Sequence, residues 1–139
     1  MLRNLFAVVS GLFAMMIVVT FMQLANVKFF YPPPPGLDFT DPEAVAAYAP
    51  TMPWQALAIV LLSWLLAAFV GGAVAARVAA PAHRTACALV IGAVEVALIA
   101  MNAVSIPHPA WMITAGLLLP IPLAWLAARQ VQKGLANTR

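Results

Sequence analysis

Four stretches of this chain stay apolar for about as long as a helix needs to cross a bilayer, and they narrow its possible folds more than anything else in it. They run from Leu5 to Ala25, Trp54 to Ala76, Ala86 to Met101 and Trp111 to Ala128. With their flanks, each approaches the ~20 residues that span ~30 Å of hydrocarbon. Backbone groups in lipid must be paired internally, which leaves helices or closed barrels, and barrel strands would alternate polar with apolar. These runs do not alternate. The expected fold is therefore all-α, an integral membrane four-helix bundle forming one domain over residues 1–139, with spans at about 4–26, 53–79, 85–105 and 109–129. Composition agrees: 65% of residues are hydrophobic, 8% are charged, and the mean hydropathy is +0.99.

The few charges set an orientation. Arg3, Arg77, Arg84, Arg129, Lys133 and Arg139 flank the ends that would share one face. Lys28 falls on the other face with Asp38, Asp41 and Glu43. The positive-inside bias then places both termini in the cytoplasm. Phe29, Phe30, Tyr31, Tyr48, Trp54 and Trp111 gather at the outer boundary and Phe6 and Trp125 near the inner one, as interfacial aromatics do. Trp64 alone is deep. Dispersed cations at helix ends form no basic stripe, so nucleic acid is not an expected partner. The lipid bilayer is. The first apolar run exceeds the ~7–15 residues of a signal-peptide core, so it is read as a retained span. A lone cysteine, Cys87, excludes an internal disulfide and dithiol redox chemistry within the chain.

The longest loop, 26–53, is expected outside. Pro32 to Pro35 favour polyproline II, and Gly36 permits a turn after them. "TDPEAVAAY" reads as a short helix, started either by a Thr40/Glu43 capping box or by Asp41 with Pro42 at the first helical position. Such a helix would lie along the surface or over the mouth of the bundle.

Two rows of small residues run along the second span: Ala68, Gly72, Ala76, Ala80 and Ala67, Gly71, Ala75, Ala79. Small residues at that spacing admit another helix closely, so Ala68, Gly71, Gly72, Ala75 and Ala76 are the expected packing surface, within the chain or in a homo-oligomer. Gly116, Pro120 and Pro122 mark a hinge in the fourth span, because each proline removes the donor for a carbonyl four residues earlier. An echo between "VAARV" after Trp64 and "LAARQV" after Trp125 suggests two related hairpins.

"YPPPPGLDFTDPEAVAAYA", "LLSWLLAAFVGGAVAARVA" and "SIPHPAWM" together resemble a group of small, uncharacterised four-span bacterial inner-membrane proteins. The resemblance covers most of the chain. It implies a bacterial membrane location and brings no activity, substrate or cofactor.

Glu95 is the one acid inside a span, roughly 16 Å up its helix from Arg84 and close to the bilayer midplane. Its side chain is too short to reach either surface, and with no cation at its depth the uncharged acid is expected at neutral pH. Gly92, Glu95, Leu98, Asn102 and Ser105 recur at helical spacing, leading outward toward His108, with Ser63 and Thr114 at comparable depths on neighbouring spans. Two readings follow. Glu95 could tie helices together, donating to the carbonyl of Gly116 that Pro120 frees. Alternatively it could exchange protons along Asn102, Ser105 and His108, as membrane acids do in transporters. The first makes the protein a non-enzymatic packing unit, a homo-oligomer or an accessory subunit of a larger complex; the second makes it a small proton-linked transporter. His108 with Met22, Met52, Met101 and Met112 resembles a soft-metal set, but Met is common filler and no Cys supports it, so neither metal nor cofactor is expected. No phosphate loop, zinc-protease motif or nucleophile elbow is present, and no enzyme activity is expected.

Overall fold

The computed structural model describes residues 1–137; Arg139 lies outside them. Among the described residues the chain is all-helical, and four helices are long and apolar enough to cross a membrane. Helix α1 (Leu2–Ala25) runs on through a π-helical turn, Asn26–Phe30. Helix α2 (Pro42–Tyr48) is the short helix in the long connection, followed by a 3-10 turn, Ala49–Thr51. Helices α3 (Trp54–Val78) and α4 (Arg84–Ser105) follow, with a 3-10 turn, Pro81–His83, between them. The fourth span comprises α5 (Ala110–Leu118) and α6 (Pro120–Asn137).

Helix α3 is the centre of the bundle, and its two small-residue rows are the reason. On one side a Cβ built on Gly71 would meet the Gly11 carbonyl oxygen at 2.8 Å, and one on Gly11 would meet the Gly71 carbonyl at 2.7 Å. On the other side Gly72 lies against Ala124 of α6, its built Cβ 3.0 Å from Cα. Ala67, Ala68, Ala75 and Ala76 are fully buried. Both rows are therefore covered inside one chain, α1 on the first and α6 on the second. This is close backbone packing without bulky side chains, the mode expected where lipid supplies no hydrophobic drive between helices. Gly92 extends it to α4, where a Cβ would fall 2.9 Å from Ile121 Cα.

Polar contacts pin one end of the bundle. Arg3 Nε donates to the Val78 carbonyl at 2.8 Å, placing a cation on the C-terminal end of α3. The Ala80 amide donates to Asn4 Oδ1 at 3.0 Å, and Gln132 Nε2 donates to Thr85 Oγ1 at 2.9 Å. The N-terminal ends of α1 and α4 thus meet the C-terminal ends of α3 and α6. Arg3, Arg77, Arg84, Arg129 and Lys133 gather at this end.

The structure refines or changes several expectations from the sequence. The loop begins later than residue 26, because the π turn carries the helix to Phe30. Between the two caps considered for α2, Asp41 is the one used: its Oδ1 accepts from the Glu43 amide at 2.9 Å, while Thr40 bonds Asp38 instead. The fourth span keeps helical dihedrals through Leu119, whose amide bonds the Ala115 carbonyl at 3.0 Å and whose carbonyl takes the Leu123 amide at 3.0 Å, so Pro120 and Pro122 mark a local irregularity where two donors are missing within three residues and not a break. It then continues well past residue 129, because nothing between Arg129 and Asn137 stops a helix. The two halves of the sequence echo are not equivalent either: Trp64 is 5% exposed and Trp125 is 42% exposed, with Arg129 over its ring at 4.7 Å.

Candidate functional site

Glu95 is 3% exposed, and no hydrogen bond among those of the described residues ends on its carboxyl oxygens. Its depth follows from its neighbours on the buried face of α4. One turn below, Gly92 faces Pro120, Ile121 and Ala124; one turn above, Ile99 lies against Gly116, whose built Cβ is 3.2 Å from Ile99 Cγ2. Glu95 shares that face, so it stands level with the junction between α5 and α6. Gly116 also lies under the Trp64 ring, its built Cβ 3.2 Å from Cε3 and Cζ3. Gly116 and Pro120 thus bracket the level of the carboxyl, one turn to either side, while Pro122 is exposed.

Outward from this layer the core is apolar. Leu57, Trp64, Ile99 and Met112 form a buried apolar cluster. Beyond it lies a cavity of about 160 Å³. Its polar wall carries Gln23, Asn26, Tyr31, Tyr48, Asn102 and His108. Val45, Tyr48 and Ala49, from α2 and the turn after it, also line it, so the short helix lies over the bundle mouth.

Asn26 lies on the buried face of α1, where Ala7, Gly11, Met15 and Asn26 recur at helical spacing; the π turn follows it, the Tyr31 amide reaching back to the Asn26 carbonyl at 2.7 Å. Asn26 is left 1% exposed, with Nδ2 donating to the Ala56 carbonyl at 3.2 Å. One turn earlier, Gln23 Nε2 meets Ser63 Oγ at 3.4 Å, and Ser63 donates to the Val60 carbonyl at 2.6 Å. On the opposite wall, His108 Nδ1 lies 2.7 Å from the Ile106 carbonyl, and its ring stacks at 57° on Trp64, with centroids 5.7 Å apart.

The residues singled out from sequence divide accordingly. Asn102 lines the cavity with His108, about 10 Å along the helix from Glu95. Ser63 is fully buried but faces α1 through Gln23. Thr114 is exposed. Ser105 is exposed and bonds back to the Met101 carbonyl at 3.3 Å, and Leu98 is exposed too. The stripe expected through Leu98 and Ser105 drifts off the buried face, which follows 88, 92, 95, 99 and 102 at the true 3.6-residue period. The soft ligand set also disperses: Met112 is fully buried in the apolar cluster, whereas Met101 is 68% exposed. Gln23 and Asn26 were not singled out as site residues. Asn26 stood at an assumed loop start, but the buried face of α1 runs on to it. No protein-family model, curated protein or solved structure matches the chain.

Proposed function

We propose that this is a small multi-pass protein of a bacterial inner membrane, with both ends cytoplasmic, acting without enzymatic chemistry as a proton-linked transporter. Glu95 exchanges the proton, and the fourth span, loosened at its prolines, opens and closes the apolar cluster between it and the outer cavity. The observation that carries this reading is a buried carboxyl level with a helix segment that two prolines deprive of donors. Ionisable groups at mid-bilayer are costly and mark ion or proton pathways. Pro120 and Pro122 leave the Gly116 and Leu118 carbonyls without helical donors near the same depth, and loosen the helix there. The cluster of Arg3, Arg77, Arg84, Arg129 and Lys133 at one end, and the exposed Phe29, Phe30, Trp54 and Trp111 at the other, support the orientation. The resemblance of the Pro-rich, Gly-Gly and Ile-Pro-His-Pro segments to bacterial four-span proteins supports the location.

An accessory subunit of a membrane complex is the second reading. Self-association through α3 loses its support because both small rows are covered internally. What favours the accessory role is the ridge of Phe6, Val9, Phe13, Ile17, Phe21 and Leu24 on α1, all exposed and able to face lipid or a partner helix. Glu95→Gln separates the two. Gln keeps hydrogen-bonding capacity but holds no exchangeable acid proton. The transporter reading predicts a carboxyl infrared band in lipid that comes and goes between about pH 5 and 9, absent from the variant, together with loss of pH-driven proton uptake into proteoliposomes. A variant that folds and takes up protons like the wild type contradicts it.

A further inference from the structure

Arg84 sits half-buried at the start of α4, at the end of the bundle where the cations gather. Its Nε is enclosed and without a hydrogen-bond partner, so the base of the guanidinium is packed against protein. Nη1 and Nη2 are not enclosed in this way, and no hydrogen bond among the described residues involves them. Their N–H donors are therefore accessible and unpaired. No acidic side chain is within reach to receive them. Asp38, Asp41 and Glu43 lie in the connection at the opposite end, and Glu95 stands roughly 16 Å along α4. Arg84 lines a cavity of about 330 Å³ between the start of α4 and the end of α6, together with Pro81, Gln132, Leu135 and Ala136. Gln132 is held there by its bond to Thr85 Oγ1 at 2.9 Å. The wall thus sets one cation and one amide beside three apolar side chains.

We infer that this cavity holds the phosphodiester of an anionic phospholipid from the leaflet at this end, with Arg84 Nη1 and Nη2 on the phosphate oxygens and Pro81, Leu135 and Ala136 against the adjoining glycerol carbons. Depth selects the anion. With Glu95 near the midplane of a ~30 Å hydrocarbon slab, Arg84 falls about 16 Å away, at the edge where the phosphates begin. A guanidinium presents parallel N–H groups to a phosphate, and basic pockets between membrane helices hold acidic headgroups by such contacts. Arg3, Arg77, Arg129 and Lys133 add to the positive field at this end, and no acidic side chain offsets it. A lipid of net negative charge is therefore favoured over a zwitterionic one, whose own ammonium the field repels. The cavity has roughly eleven waters' volume, enough for a phosphate with a glycerol attached.

This site needs the four crossings but not proton exchange at Glu95, and its test measures no transport. The full chain in mild detergent is incubated with equimolar dioleoylphosphatidylglycerol and dioleoylphosphatidylcholine, and bound lipid is counted by native mass spectrometry. One phosphatidylglycerol should be retained per chain, preferred about fivefold over phosphatidylcholine. Arg84→Gln should abolish the preference, whereas Lys133→Gln, which removes the same charge outside the cavity, should leave it within about twofold of the wild type. Ala136→Phe fills the cavity without touching a charge and should also abolish it, which decides the matter if Arg84→Gln does not fold. Excess inorganic phosphate should leave the bound lipid in place, because it has no carbon to set against the apolar wall. Retained preference in folded Arg84→Gln or Ala136→Phe, equal loss in Lys133→Gln, or displacement by inorganic phosphate, the mark of a soluble-anion site, would each overturn the inference.

Discussion

Gly71→Ala adds a single methyl group, yet the structure predicts a substantial loss of stability. The new Cβ would lie 2.8 Å from the Gly11 carbonyl oxygen, 3.0 Å from Ile91 Cγ2 and 3.0 Å from Met15 Cβ. Ordinary contact begins near 3.4 Å, so all three neighbours must give. Ile91 can change rotamer, but the Gly11 oxygen belongs to helical backbone and cannot swing away. Helix α1 must therefore move off α3 by several tenths of an ångström along the row that holds Ala67 and Ala75. Overpacking of this kind costs about 1–3 kcal/mol, and the rigid partner puts the expectation near ~2 kcal/mol. Gly11→Ala strikes the same contact from the other side, so the double variant should cost less than the sum, with a coupling of at least ~0.5 kcal/mol. Gly134→Ala is the control, because among the described residues outside its own helix turn nothing lies within 4 Å of its built Cβ, and alanine favours helix there. Unfolding is followed by circular dichroism during titration of mixed micelles with denaturing detergent. A Gly71→Ala protein as stable as the wild type would refute the internal packing of α1 on α3, and the small rows would then be open to a second chain.

Asp41→Ala should destabilise α2 by about 1 kcal/mol, seen as faster amide exchange from Glu43 to Tyr48 with the spans unaffected. Both the hydroxyl and the amide of Thr40 donate to Asp38, holding its carboxyl below the usual range. Because the folded value is the lower one, the turn is favoured at neutral pH and weakens only as the solution falls below ordinary carboxylate titration. Thr40→Val should raise the Asp38 midpoint toward 3.8 in a nuclear magnetic resonance titration. Pro120→Ala with Pro122→Ala returns two helix donors, so any bend at Leu119 should straighten, and spin labels at 113 and 127 should hold the straight-helix separation of roughly 21 Å with a narrower spread than in the wild type.

Much of this fold was legible because hydrocarbon permits few solutions. Apolar length located four spans, and the Gly and Ala rows of α3 identified the helix that the others pack on. Pro120 and Pro122 marked the irregularity in the fourth span, because a missing amide is a fact of the residue and not of its context. The candidate site was read less well. Glu95 stood out by charge alone, but counting in steps of three and four carried the polar stripe to Leu98 and Ser105, where helical drift turns it outward. Ser63 and Thr114 were grouped with Glu95 by depth, which says nothing about direction around a helix. Asn26 and Gln23 were hidden for a different reason: placing the loop start at residue 26 cut the buried face of α1, which passes through Ala7, Gly11 and Met15, just before its last buried residue.

The account rests on four crossings with both ends on one face and position 95 inside. Single cysteines introduced by Arg3→Cys, Glu43→Cys, Glu95→Cys and Lys133→Cys in a Cys87→Ser background, exposed to a membrane-impermeant maleimide from each side of oriented vesicles, test this directly. Positions 3 and 133 should label from one side, position 43 from the other, and position 95 from neither until detergent denatures the protein. Labelling of 3 and 133 from opposite sides, or ready labelling of 95 in the intact bilayer, contradicts it.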